Sequence, residues 1–188
     1  MNENSNVGDF SATAMNSSKS ESIFNKRKLC LTGFSYAEEK YAGEMIQKLD
    51  GRFSRDLSRD SFCVIVMKVG SQKYETAIKL GIPTVTIQWL KDCLKGYILL
   101  PFDLYKPPCF LGLIISCSQL QPKDRSDLQL SIEVNGGTYS AALEIDKTTH
   151  LVALKPEGEK YLFAKSWNTV KIVNPEWIST CVERQCTV

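Results

Sequence analysis

What this chain lacks narrows its chemistry first. It has a single histidine, His150, and its seven cysteines include no C-x-x-C pair, so the four clustered ligands that a structural zinc site needs are not in view. An odd cysteine count among mostly apolar neighbours suits a reducing compartment. No glycine-rich phosphate loop stands between a strand and a helix, and no Ser or Cys nucleophile pairs with His150 in a known motif, which argues against an enzyme and against any cofactor. No apolar run is long enough to span a bilayer and no secretory leader opens the chain, so a soluble protein without a membrane partner is expected. Net charge is nearly absent as well: 23 basic residues face 21 acidic ones, leaving +2. Extensive contact with a nucleic-acid backbone is therefore not indicated, and any preference for anions has to be local.

What the chain does have is a repeat. Lys73-Tyr74-x-x-Ala77 followed by Trp89-x-x-x-Cys93 returns as Lys160-Tyr161-x-x-Ala164 followed by Trp177-x-x-x-Cys181. Further anchors pair Thr32 with Ser116, Asp50-Gly51 with Gly136-Gly137, Leu57 with Leu143 and Cys63 with His150, and the offset climbs from 84 at Thr32 to 88 at Trp89. A period of about 85 residues is too long for a solenoid and fits two duplicated small domains. The organisation expected is a disordered Ser- and Asn-rich tail over 1–24, a first repeat over 25–96, a packed linker over 97–109 and a second repeat over 110–188. The linker carries Tyr97, Leu100, Phe102 and Tyr105 with its prolines, a composition that packs rather than swings.

Periodicity predicts the same element order in both units: strand, helix, strand, strand, helix, strand, helix. In the first these are 28–32, 36–49, 53–57, 62–67, 73–80, 83–87 and 89–95, with Asp50-Gly51 and Gly81 ending helices and Gly96 at the left-handed closing position of the last. In the second they are 111–117, 123–135, 138–143, 149–154, 159–166, 171–173 and 175–185, with Pro175 in the first turn of the final helix. Near-continuous apolar central strands separated by helices imply an α/β class, a small parallel sheet covered on both faces in each unit. Trp89 and Trp177 are expected in the cores.

Gly51 and Gly136-Gly137 after the first helix, Thr149-His150-Leu151-Val152 on the third strand, Lys-Tyr-x-x-Ala on the second helix and Trp-x-x-x-Cys on the third together resemble the BRCT domain, here in tandem. Val69-Gly70-Ser71-Gln72-Lys73-Tyr74, Lys106-Pro107-Pro108-Cys109-Phe110-Leu111-Gly112 and Pro156-Glu157-Gly158-Glu159-Lys160-Tyr161 resemble more narrowly the N-terminal BRCT pair of the topoisomerase II-binding checkpoint and replication scaffold family. The resemblance implies a nuclear, non-enzymatic phosphopeptide-binding adaptor. Its partners would be phosphorylated proteins, a checkpoint clamp tail or replication-initiation factors. The same pocket chemistry would serve a DNA end through its 5′-phosphate, or the tandem could be a purely structural interaction module.

A phosphorylated side chain carries close to two charges and three acceptor oxygens, so its reader needs a hydroxyl, a free backbone N–H and a cation converging on one spot. In the first repeat Thr32, the Gly33 amide and Lys73 are the candidates, and in the second Ser116, the Cys117 amide and Lys160. The resemblance adds an arginine early in the first helix, which Arg125 matches if the turn before it is two residues longer. Glu39 stands at that place in the first repeat, with Lys40 as the neighbouring substitute. Trp167 and Leu80, at the ends of the lysine-bearing helices, are the candidate walls for peptide specificity.

Overall fold

The computed structural model describes residues 22–187, so residues 1–21 of the tail expected over 1–24 lie outside them. Each repeat is a four-stranded parallel sheet. In the first, β1 (Lys28–Thr32) and β3 (Cys63–Val66) are central, flanked by β2 (Arg52–Ser54) and β4 (Thr84–Thr86) in the order β2-β1-β3-β4. In the second, β5 (Ile114–Ser118) and β7 (His150–Ala153) are flanked by β6 (Thr138–Tyr139) and β8 (Lys171–Val173) in the order β6-β5-β7-β8. The helices are α1 (Tyr36–Lys48), α2 (Gln72–Lys79), α3 (Ile87–Gly96), α4 (Pro122–Val134), α5 (Glu159–Trp167) and α6 (Glu176–Arg184). Among the described residues none is long and apolar enough to cross a membrane.

Successive strand residues point to opposite faces, and both faces of each sheet are covered. On one face of the first sheet Leu29, Leu31, Cys63 and Ile65 pack against Ala42, Met45 and Ile46 of α1 and Trp89, Leu90 and Cys93 of α3. On the other, Cys30, Val64 and Val66 pack with Tyr74 and Ala77 of α2. That second cluster runs on into Phe110, Leu113, Ile115, Cys117 and Ile132 of the second repeat, so the two units share one core. A main-chain bond from Val69 N to Leu111 O, 3.0 Å, crosses the seam.

Several boundaries differ from the sequence expectation. Phe24, placed in the tail, is fully buried: it stacks on Trp89 with ring centroids 5.4 Å apart, and its N–H donates to Leu49 O. Gly51 lies beside it, where a Cβ would come within 2.9 Å of that ring, so the chain can turn there only without a side chain. Outer strands β2 and β6 are shorter than expected, because the polypeptide leaves the sheet as soon as its pairing with β1 or β5 ends. Helix α3 runs through Gly96, and the left-handed closing residue is Tyr97, φ 49°. Trp89 is fully buried and donates to Leu100 O at 2.9 Å, fixing the linker through Phe102 as well. Trp177 is only partly buried, stacked on His150 and against Phe110.

Candidate functional site

The ladder register decides which residues of the two repeats correspond. Leu29 pairs with Cys63 and Ile115 with His150, while Thr32 pairs with Val66 and Ser118 with Ala153. With Cys63 matched to His150, Thr32 at the end of β1 therefore corresponds to Ser118 at the end of β5, not to Ser116. The same spacing aligns Tyr36 with Pro122 at the helix starts, so no longer turn is needed, and Glu39 does fall opposite Arg125. The expected hydroxyl and amide of the second pocket are thus corrected by two residues. Ser116 is 0% exposed beneath α5 and Cys117 is buried inside the paired strand, so neither meets solvent at the strand end. Ser118, which points to the same face as Ser116, is half-buried at the mouth.

In the first repeat the strand end and the start of α2 meet. The Lys73 ammonium donates to Leu31 O at 2.9 Å, and the Thr32 and Ser71 hydroxyls are 2.7 Å apart. Ser71 also caps α2 by accepting from Tyr74 N at 3.0 Å, which explains a serine here: it satisfies a free helix amide while presenting its hydroxyl beside Thr32. Thr32 itself is 6% exposed, and the open side of the group is Gly33, at φ +80°. A Cβ on Gly33 would lie 2.6 Å from Lys68 N, so no larger residue fits without moving the β3–α2 turn.

Charges around this group are mixed. At the start of α1 the Ser35 N–H donates to the Glu38 carboxylate at 2.8 Å. That bond and the Ser35 hydroxyl hold Glu38 below the ordinary carboxylate range. Glu39 pairs with Arg55 at 3.4 Å. Lys40 is not brought to Lys73: it lines a groove along α1 with Tyr36, Glu39 and Arg55, whereas Lys73 lines a separate cavity with Arg55, Asp56, Gln72 and Thr76. Arg55, which borders both, is a candidate that the sequence did not single out.

In the second repeat the Lys160 ammonium makes three contacts: Ser116 Oγ at 3.3 Å, Cys117 O at 3.0 Å and Ala141 O at 2.6 Å. Ser116 and Lys160 are therefore brought together as expected, but the serine acts as a buried acceptor that aims the lysine. Burial pulls the Lys160 pKa down, and the Arg125 guanidinium pushes the same way while Cys117 opposes both. The position of Gly33 is taken by Gln119, φ +62°, whose side chain donates to Glu157 O at 2.9 Å and accepts from Lys155 N at 3.2 Å. It ties the β5–α4 turn to the β7–α5 turn. Arg125 leans back on Leu120 O at 3.3 Å. Gly158, φ +89°, replaces Ser71 at the start of α5.

Of the two candidate walls, Leu80 is exposed at the end of α2, and Trp167 is partly buried, stacked with the exposed Phe163 at 6.0 Å. His150 is structural. It is buried, its Nδ1 lies 2.9 Å from Thr149 Oγ1, and its ring stacks on Trp177 at 4.9 Å. Burial first, then Lys171 and Lys68, pull its pKa down to about 4.

Comparison with known proteins agrees with this architecture. Residues 19–94 match the BRCA1 C Terminus (BRCT) domain family and residues 113–177 the twin BRCT domain family. PAX-interacting protein 1 of Mus musculus is 34% identical over 107 residues, 55% of this chain and 10% of that protein. The S-M checkpoint control protein rad4 of Schizosaccharomyces pombe is 22% identical over 169 residues, 85% of this chain and 26% of that one. The chain thus spans only a small part of the length of either relative. The crystal structure of Rad4 BRCT1,2 in complex with a Crb2 phosphopeptide superposes with a TM-score of 0.70 at 21% identity, covering 89% of this chain and 96% of that one. The same pair in complex with an Mdb1 phosphopeptide gives 0.72 at 20% identity, covering 88% and 95%. At such identity the likeness speaks for the fold. Family matches in each half, over two parallel sheets of the same strand order, establish that the chain belongs to the BRCT family as a tandem of two BRCT domains.

Proposed function

We propose that this tandem binds phosphoserine or phosphothreonine segments of partner proteins. The observation that carries the proposal is the repeated placement of one lysine: Lys73 donates to Leu31 O and Lys160 to Cys117 O, each the carbonyl just before the strand-end hydroxyl residue, Thr32 or Ser118. An ammonium held there by its own main chain is pre-oriented beside a hydroxyl and a helix start, the arrangement a doubly charged ester with three acceptor oxygens requires. The fold likeness to a Rad4 pair crystallised with phosphopeptides supports the same reading. On family grounds the partners are phosphorylated proteins of the DNA-damage checkpoint and of replication initiation, the chain is part of a scaffold that joins them, and it works in the nucleus.

The test is fluorescence anisotropy with peptide libraries degenerate around a fixed phosphothreonine or phosphoserine, set against their unphosphorylated counterparts. Lys73→Glu is expected to abolish first-pocket binding. Arg125→Glu is the cleaner change for the second pocket, because reversing Lys160 would also leave the Cys117 and Ala141 carbonyls without their donor. Charge-assisted bonds of about 1.5–3 kcal/mol each imply a loss of about tenfold or more per cation removed. Unchanged affinity in both variants would overturn the proposal, as would tighter binding to a 5′-phosphorylated DNA duplex with a steep dependence on salt.

A further inference from the structure

The first pocket carries a glutamate where the second has its helix arginine, and the structure holds a compensation for it. We propose that Arg55 is the second phosphate-binding cation of the first repeat beside Lys73, supplied from the loop after β2 in place of an arginine on α1. This rests on the phosphopeptide reading above and gives the first pocket its own cation geometry.

Register again sets the correspondence. Lys28 pairs with Arg52 and Ile114 with Thr138, and Leu29 pairs with Phe53 and Ile115 with Tyr139. Ser54-Arg55 therefore corresponds to Ser140-Ala141. Glu39 and Arg55 meet in an ion pair in the first repeat, and the second repeat has Arg125 and Ala141 at the corresponding two positions. The cation has changed sides. Residue 141 lies at the lysine, since Lys160 donates to Ala141 O, and in the first repeat Arg55 and Lys73 line one cavity of about 310 Å³.

Arg55 is held but not trapped. Its contact with Glu39 is one ion pair at 3.4 Å, with the Arg55 side chain 66% exposed and that of Glu39 24% exposed. Such a pair is weak in water, so a dianion between Arg55 and Lys73 displaces a single carboxylate. The guanidinium offers a planar fork of donors suited to phosphate oxygens. Asp56 lines the same cavity, and an added cation offsets its repulsion as well as that of Glu39.

The experiment places all variants in an Arg125→Glu background, which silences the second pocket, and measures binding of the phosphothreonine library. Arg55→Ala is expected to weaken binding about tenfold, the loss of one charge-assisted contact. Arg55→Gln, which keeps most of the stem, should lose as much, showing that the charge matters and not the packing. The double change Glu39→Arg with Arg55→Ala recreates the second repeat's pattern and should recover the lost affinity to within about threefold of the parent. Wild-type affinity in Arg55→Ala, with Lys73→Glu still abolishing binding, would overturn the role of Arg55 and leave the phosphopeptide function standing. A loss that the double change does not recover would overturn the exchange of sides. Full binding in Lys73→Glu would instead bring down the function itself.

Discussion

His150 is 3% exposed, sits between a hydroxyl and the Trp177 ring, and stays neutral well below the pH at which a free imidazole charges. Above about pH 6.5 the side chain is neutral in folded and unfolded chains alike, and its contribution to stability is complete. As pH falls from there towards about 4, the unfolded chain takes up a proton that the folded one refuses, so stability is lost, by about 3 kcal/mol at the lower end. His150→Phe keeps the stacking and removes the titration, so urea denaturation at pH 7 and pH 4.5 should give a smaller difference for the variant by about 2–3 kcal/mol. Equal differences in the two proteins would show that the imidazole is not the source. The repeated placement of Lys73 and Lys160 and the position of Arg125 opposite Glu39 were legible in the sequence, while their role toward phosphate remains the proposal made above. Which serine stands at the strand end is not legible in the local pattern, for a specific reason. Ser116 and Ser118 both point towards α5, and only the ladder partners Leu151 and Ala153 separate the buried one from the one at the strand end. The two-residue insertion needed to fit Arg125 was the available clue, since removing it moves the match from Ser116 to Ser118.

At the scale of elements, order and type could be read from hydrophobic period, while ends depended on contacts that no local pattern carries. Four consecutive buried residues in β3 and again in β7 make each a strand covered on both faces. Phe24 has no periodic neighbours and reads as tail, yet it is anchored by a long-range stack on Trp89 and a bond to the end of α1. The two Trp-x-x-x-Cys helices also differ in a way their shared motif hides. Trp89 on α3 is enclosed by Phe24 and Phe102 and bonded to Leu100 O, whereas Trp177 on α6 keeps part of its surface in water beside His150. Trp89→Ala should therefore cost about 3–5 kcal/mol, the range for emptying a fully packed aromatic site, and Trp177→Ala clearly less. Chemical denaturation of the two variants checks this, and an equal cost would mean that the partial exposure of Trp177 has no energetic weight.

For the whole molecule the consequential feature is the seam. A single hydrophobic cluster passes from Val64 and Tyr74 through Phe110 and Leu113 to Ile178, and Tyr74 is desolvated enough that its hydroxyl pKa is pushed up to about 12. On the phosphopeptide reading proposed above, two pockets on one continuous core keep a fixed separation, so a partner carrying two phosphates at a matching span would bind with the second site at high effective concentration, and a mismatched span would gain nothing. The seam closes at Gly112, φ +73°, where a Cβ would lie 2.7 Å from Met67 O and 3.0 Å from Lys68 Cα. Gly112→Val places a branched side chain into main chain that cannot yield and demands a backbone conformation that valine avoids, so it should destabilise the junction by about 2–4 kcal/mol. Intrinsic tryptophans report the outcome, because Trp89 belongs to the first repeat and Trp167 and Trp177 to the second. With a Trp167→Phe, Trp177→Phe background isolating the first repeat and a Trp89→Phe background the second, the parent seam predicts coincident urea transitions, and Gly112→Val predicts two separated ones together with loss of the proposed avidity for doubly phosphorylated peptides. Separated transitions in the parent seam would mean that the shared cluster does not couple the repeats, and the fixed spacing of the pockets would fall with it.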